Sequence, residues 1–102
     1  MSVIKITAEN FEAEVLASDK PVLIDFYADW CGPCRMLAPT VEEIAAERTD
    51  VKVCKVNVDE QGELAARFGV MSIPSLFVLK NGEIVAQSLG AKPKGQILDM
   101  LN

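Results

Sequence analysis

Apolar positions along this chain recur at two periods, and the switches between them mark its elements. Val3, Ile4 and Ile6 fall in a short strand over residues 3–6. Between Asn10 and Ser18, Phe11, Val15 and Leu16 share one helical face. Pro21 to Ala28 predicts a central strand, apolar on both faces except at Asp25. Met36 to Arg48 returns to the helical period, and Cys34, Leu37, Val41, Ile44 and Ala45 share its buried face. Pro33 falls in the first turn of that helix, where a missing N–H costs little, whereas Pro39 falls inside it and is expected to kink it. Val51 to Val58 is a β-branched strand, and Glu60 to Phe68 a helix with Gly69 placed to end it. Ser75 to Lys80 and Glu83 to Leu89 flank Asn81-Gly82, a strong hairpin signal. Lys94 to Leu101 closes the chain as a helix with Ile97, Leu98 and Leu101 inward.

The order β-α-β-α-β-α-β-β-α predicts an α/β protein. Helices separate the first three strands, so these run parallel, and the last two form an antiparallel hairpin. The expectation is a mixed five-stranded sheet with four helices on its two faces, in a single domain spanning 1–102. A net charge of −5 argues against nucleic acid as a partner, and no stretch is long enough to span a bilayer. The chain has no histidine, which removes the histidine routes to metal binding and general base catalysis. Met1 to Thr7 alternates like a strand and lacks a basic segment followed by an apolar one, so no signal peptide is read and a cytoplasmic location is the expectation.

In that compartment persistent disulfides are rare, and three cysteines, an odd number, fit a disulfide framework poorly. Cys31 and Cys34 stand three apart in Trp30-Cys31-Gly32-Pro33-Cys34, between the central strand and the helix that follows. Unpaired N–H groups and the helix dipole at such a junction stabilise a thiolate. The periodicity puts Cys34 on the buried face and Cys31 outside it. Cys31 is therefore expected to be exposed and nucleophilic, and Cys34 shielded and second to attack, in thiol–disulfide exchange. A structural metal half-site or an inert buried pair are the alternatives. The metal reading lacks ligands, because only Cys54 could join the pair, so no metal is expected. Asp25 is costly in an apolar strand, and Lys55 interrupts the next parallel strand in the same manner. Asp25 could accept the Cys34 proton, form a buried ion pair that fixes register, or reach solvent at the strand end. Ile73-Pro74 precedes the fourth strand, where base rates favour a trans bond.

Asp25 to Cys34 read as a run (DFYADWCGPC), together with Lys55, Ile73-Pro74, Asn81-Gly82 and Gly90, resembles the thioredoxin family in its small bacterial type, over essentially the full length. The resemblance implies the thioredoxin fold, with Cys31 and Cys34 as the redox-active disulfide, Asp25 as proton acceptor, and Lys55 as its modulator. It also implies that Pro74 is cis and packs opposite the disulfide, and that the backbone of Ile73 pairs with an extended client. Trp30, Gly32, Pro33, Ile73, Pro74, Gly90 and Ala91 would then form a flat apolar patch around Cys31. Three positions depart from the family pattern. Tyr27 replaces a frequent tryptophan, Ser72 replaces a frequent glycine, and Cys54 is extra and reads as a small core residue.

The resemblance implies a monomeric protein-disulfide reductase with no bound cofactor, recharged by a thioredoxin reductase. Its clients would be of the ribonucleotide reductase, peroxiredoxin and methionine sulfoxide reductase types. Two other readings remain. An oxidase or isomerase usually places a histidine between the cysteines, where this chain has Gly32-Pro33. A docking module would act independently of its thiols.

Overall fold

The architecture is described from a computed structural model for residues 2–102; Met1, the first residue of the expected domain, lies outside the described residues. The chain runs β1 (Ile4–Lys5), a helical turn (Glu12–Leu16), β2 (Val22–Tyr27), α1 (Gly32–Glu47), β3 (Lys52–Asn57), α2 (Gly62–Arg67), β4 (Ser75–Lys80), β5 (Glu83–Leu89) and α3 (Lys94–Met100). The sheet order is β1-β3-β2-β4-β5. β1 and β2 pair with β3 in parallel, while β4 runs antiparallel to both β2 and β5. This is the mixed five-stranded sheet that the alternation of strands and helices predicts.

Period-two alternation divides the core between the two faces of the sheet. Val22, Ile24 and Phe26 of β2 join Cys54, Val56, Phe77 and Leu79 beneath the Glu12–Leu16 turn and α2. Leu23 joins Val53, Leu76 and Val78 on the other face, under Leu37, Val41, Ile44, Ile97 and Leu101 of α1 and the C-terminal helix region. The four phenylalanines knit the first face, with ring centroids 5.1–5.8 Å apart in edge-on or tilted pairs. Asp25 lies on the second face, in step with Leu23. A carboxylate thus occupies a position where the pleat calls for an aliphatic side chain.

One element differs in kind from expectation. The Asn10–Ser18 segment is a π-helical turn over Glu12–Leu16, closed by the Ala17 N–H on the Glu12 carbonyl at 2.9 Å. The four helices expected over the sheet are therefore three α-helices and this single π-helical turn. The following helix spans Gly32–Glu47, with Pro33 in its first turn as expected and Pro39 inside it. At the hairpin, Asn81 (φ 53°) and Gly82 (φ 79°) both take the left-handed region that a two-residue primed turn needs. A Cβ on Gly82 would stand 3.3 Å from the Leu16 carbonyl oxygen, so the bare backbone also lets the hairpin tip pack on the π-helical turn.

Candidate active site

β2 ends at Tyr27 beside the start of α1, which sets two cysteines at the C-terminal edge of the sheet. Cys31 and Cys34 form a disulfide with Cα atoms 5.2 Å apart. Cys31 is the N-cap of α1. Its backbone is extended (φ −85°, ψ 112°), and its sulfur accepts the Cys34 N–H at 3.2 Å. The Cys31 carbonyl accepts the Arg35 N–H at 3.1 Å, the first closed turn of the helix. Pro33, with no N–H to satisfy, sits among the helix's unpaired donors. Gly32 has no atom within 4 Å of where a Cβ would project. Packing does not demand glycine there, and its bare backbone leaves the approach to Cys31 open.

The expected contrast of an exposed Cys31 and a shielded Cys34 is not what the structure has. Cys31 is 5% exposed and Cys34 3%. Tyr27, Val58 and Ile73 pack against the cysteine pair, and the two cysteines differ instead in the cleft each one faces. Cys31 opens into a cleft of about 520 Å³ lined by Trp30, Gly32, Pro33, Val58, Ala65, Val70, Met71, Ser72 and Ile73, without one charged side chain. Cys34 opens into a cleft of about 380 Å³ lined by Asp25, Tyr27, Ala28, Asp29, Arg35, Ala38 and Lys55.

Trp30, 68% exposed, stands at the rim of the first cleft, and its indole N–H donates to Asp59 Oδ2 at 2.8 Å. Asp59 is held in turn: Asn57 Oδ1 accepts the backbone N–H of Asp59 at 2.9 Å in the tight turn after β3. The Ile73–Pro74 peptide bond is cis, and the Ile73 carbonyl oxygen lies 4.0 Å from Cys31 Sγ. The Pro74 ring is fully buried and so forms no part of an exposed patch. Gly90 (φ 82°) donates its N–H to the Pro74 carbonyl at 2.8 Å, which ties the end of β5 to this loop. Neither Gly90 nor Ala91 lines the cleft at Cys31. The patch expected from sequence is thus a walled cleft. Gly90 supports it from behind, and Ala91 is exposed outside it. Val58, Ala65, Val70 and Met71 take the places that Pro74, Gly90 and Ala91 were expected to fill. Met71 is 96% exposed, and an apolar residue two positions before Ile-Pro is the signal that could have found it.

Behind Cys34, Asp25 is 4% exposed and its Oδ1 has no hydrogen-bond partner. Burial pushes its carboxyl from the ordinary 3.8 up to about 7, against a smaller opposing pull from Lys55. Lys55 is the direct cross-strand neighbour of Asp25 in the β2–β3 register, yet forms no ion pair with it. Its ammonium lies over the Tyr27 ring, 5.8 Å from the centroid. The buried ion pair is therefore absent, and so is the escape to solvent. Tyr27 packs beside Ala28, Cys31 and Cys34 under the active loop. Cys54, fully buried between Ile4 and Ile24 in register, has its thiol pushed up to about 12 by burial. Among the described residues no cluster of candidate metal ligands occurs, and no helix is long and apolar enough to cross a membrane.

A disulfide within the first turn of a helix, set at the edge of a mixed sheet beside an uncharged cleft, defines a thiol–disulfide oxidoreductase. Comparison with known proteins narrows the class. The Thioredoxin family model matches residues 2–102. The chain is 48% identical to a thioredoxin of Bacillus subtilis, covering 100% of this chain and 97% of the relative. It is 50% identical to thioredoxins of Mycobacterium bovis (99% and 88% covered) and Streptomyces clavuligerus (91% and 87% covered). The chain belongs to the thioredoxin family.

Proposed function

We propose that this protein is a monomeric, cytosolic, single-domain protein-disulfide reductase that holds no cofactor and is recharged by a thioredoxin reductase. The observation that carries the direction of transfer is the surroundings of the Cys31 sulfur. One N–H from Cys34 and the dipole of α1 stabilise its thiolate, and no cation lines its cleft. Strong thiolate stabilisation favours the dithiol and makes a disulfide oxidising. Modest stabilisation leaves the disulfide the favoured form, so the dithiol gives its electrons away.

The steps follow from the two clefts. A client segment lies in the uncharged cleft against Trp30, Gly32, Pro33 and Ile73, its main chain pairing at Ile73. Cys31 thiolate attacks one client sulfur, the client S–S bond breaks, and the other client sulfur leaves as a thiolate. Cys34 then gives its proton to the Asp25 carboxylate across the second cleft, directly or through a water. Its thiolate attacks Cys31, the mixed disulfide breaks, and the reduced client departs as Cys31–Cys34 closes. Two electrons reach the client and the protein is oxidised. Lys55 tunes Asp25 by charge alone. Clients of the ribonucleotide reductase, peroxiredoxin and methionine sulfoxide reductase types suit a cleft that makes mainly apolar and main-chain contacts.

A redox titration tests the direction. The protein is equilibrated in graded dithiol/disulfide buffers, read by Trp30 fluorescence and by thiol trapping. A midpoint well below the glutathione poise is expected. A midpoint at or above it would assign an oxidase or isomerase.

A further inference from the structure

The cleft at Cys31 does not end at the loop before Pro74. A second depression of about 490 Å³ begins on the far side of that loop, lined by Phe68, Gly69, Phe77, Gln87, Ser88, Leu89 and Lys92. Val70, Met71 and Ser72 line both, so the two clefts share a wall and form one groove with Met71 at its crest. The second half differs in chemistry. Its only charged side chain is Lys92, which pairs with no described carboxylate, whereas Lys94 two residues on is engaged by Glu43 and Glu47. Gln87, opposite Phe77, is exposed on the face of the sheet that forms this wall, whereas Ser88, opposite Leu76, turns its hydroxyl to the other face, where it is buried. An extended segment held at Ile73 and continuing over Met71 reaches a place that offers one unpaired cation and the exposed Gln87 side chain.

We infer that this second cleft is a specificity subsite for the client polypeptide, in which Lys92 selects an acidic side chain to one side of the reactive client cysteine. The inference rests on the proposed reading of the protein as a disulfide reductase and adds a substrate preference to it. Its sign is opposite to that of the whole-protein field. A chain of net charge −5 draws basic peptides, so a preference for acidic ones must arise locally.

The test uses the intact protein, reduced beforehand, and symmetrical peptide disulfides in which aspartate, lysine or glutamine is placed at successive positions on either side of the cysteine. Oxidation of the protein is followed by Trp30 fluorescence. Wild type should react about threefold faster with the best-placed aspartate peptide than with its glutamine counterpart, the scale of one exposed ion pair. The preference should fade as salt is raised. Lys92→Gln should abolish it and Lys92→Glu should invert it toward lysine. Lys20→Glu makes the same change of charge at the opposite end of β2 and should keep the wild-type preference. Equal rates for all peptides, faster lysine peptides in wild type, or an aspartate preference that survives Lys92→Glu would overturn the inference. Reduction of a small neutral disulfide by wild type separates the two levels. If that reaction proceeds and the peptides are not discriminated, only the subsite falls. If it fails, the reductase reading falls and the subsite with it.

Discussion

Beside Cys31 lies a cleft of apolar and main-chain groups with no charge on its walls; behind Cys34 lies a smaller one walled by Asp25, Asp29, Arg35 and Lys55. The sulfurs that face them belong to one disulfide and are almost equally buried. The difference between the thiols is therefore not exposure but what each can exchange with its surroundings. The first cleft can admit a polypeptide, and the second can hold and move a proton. Separating the two tasks lets each keep the polarity it needs, because an apolar wall at Asp25 would keep the carboxyl protonated and a charged wall at Cys31 would restrict clients.

The strongest way to break the comparison is at the sulfurs. Cys31→Ser should abolish turnover, whereas Cys34→Ser should still attack clients and stay covalently joined to them, as mass spectrometry of the trapped adduct would show. If both variants lose attack alike, the division of labour fails. The next effect is Asp25→Asn, which should slow release of the mixed disulfide by roughly 10²-fold and remove an inflection near pH 7 from that step. The same variant has a consequence for stability, with a definite sign. The carboxyl holds its proton more tightly in the folded protein than in the unfolded chain, so wild type loses stability as pH rises from about 4 to about 7, relative to the asparagine variant. The rise from 3.8 to about 7 corresponds to at most about 4 kcal/mol, so Asp25→Asn should be the more stable protein by up to that amount above pH 7 in urea unfolding. Equal stability of the two proteins across that range would remove the buried-carboxyl argument.

On the client side, Trp30→Ala should lower kcat/KM for protein disulfides about tenfold while sparing a small neutral disulfide, since an exposed aromatic at a rim acts through the contact it makes. An equal loss for both substrates would mean that Trp30 supports the disulfide rather than the client. The smallest effect is at Lys55. Its charge holds Asp25 down against burial, so Lys55→Met should move the inflection near pH 7 upward without changing the rate at its plateau. A downward move would reverse the assigned sign.

Much of the fold was legible because the sheet obeys its period. Ser75–Lys80 and Glu83–Leu89 match the residues read from alternation and the Asn-Gly turn, and Ile97 and Leu101 point inward from the last helix. Where local preference had no such partner the reading slipped. Nothing in Glu12–Leu16 distinguishes a π-helical turn from an α-helix, since both bury Phe11 and Val15. At the site, Asp25 stood out because an aliphatic face does not otherwise carry a carboxylate. The walling-in of Cys31 was not legible, because Trp30, Val58, Val70 and Met71 meet there from separate segments and share no local spacing. Asp59 was missed for the same reason: its Oδ2 accepts a hydrogen bond from the indole N–H of a residue twenty-nine positions earlier.

Cys54 gives the molecule a fixed arithmetic. Its thiol is sealed between Ile4 and Ile24 and far from ionising, so the folded protein turns a pair of exchangeable sulfurs to its two clefts and no odd one. Each molecule is then a two-electron coin, either whole or empty, with no half-value state in which a leftover thiol could couple it to a second copy.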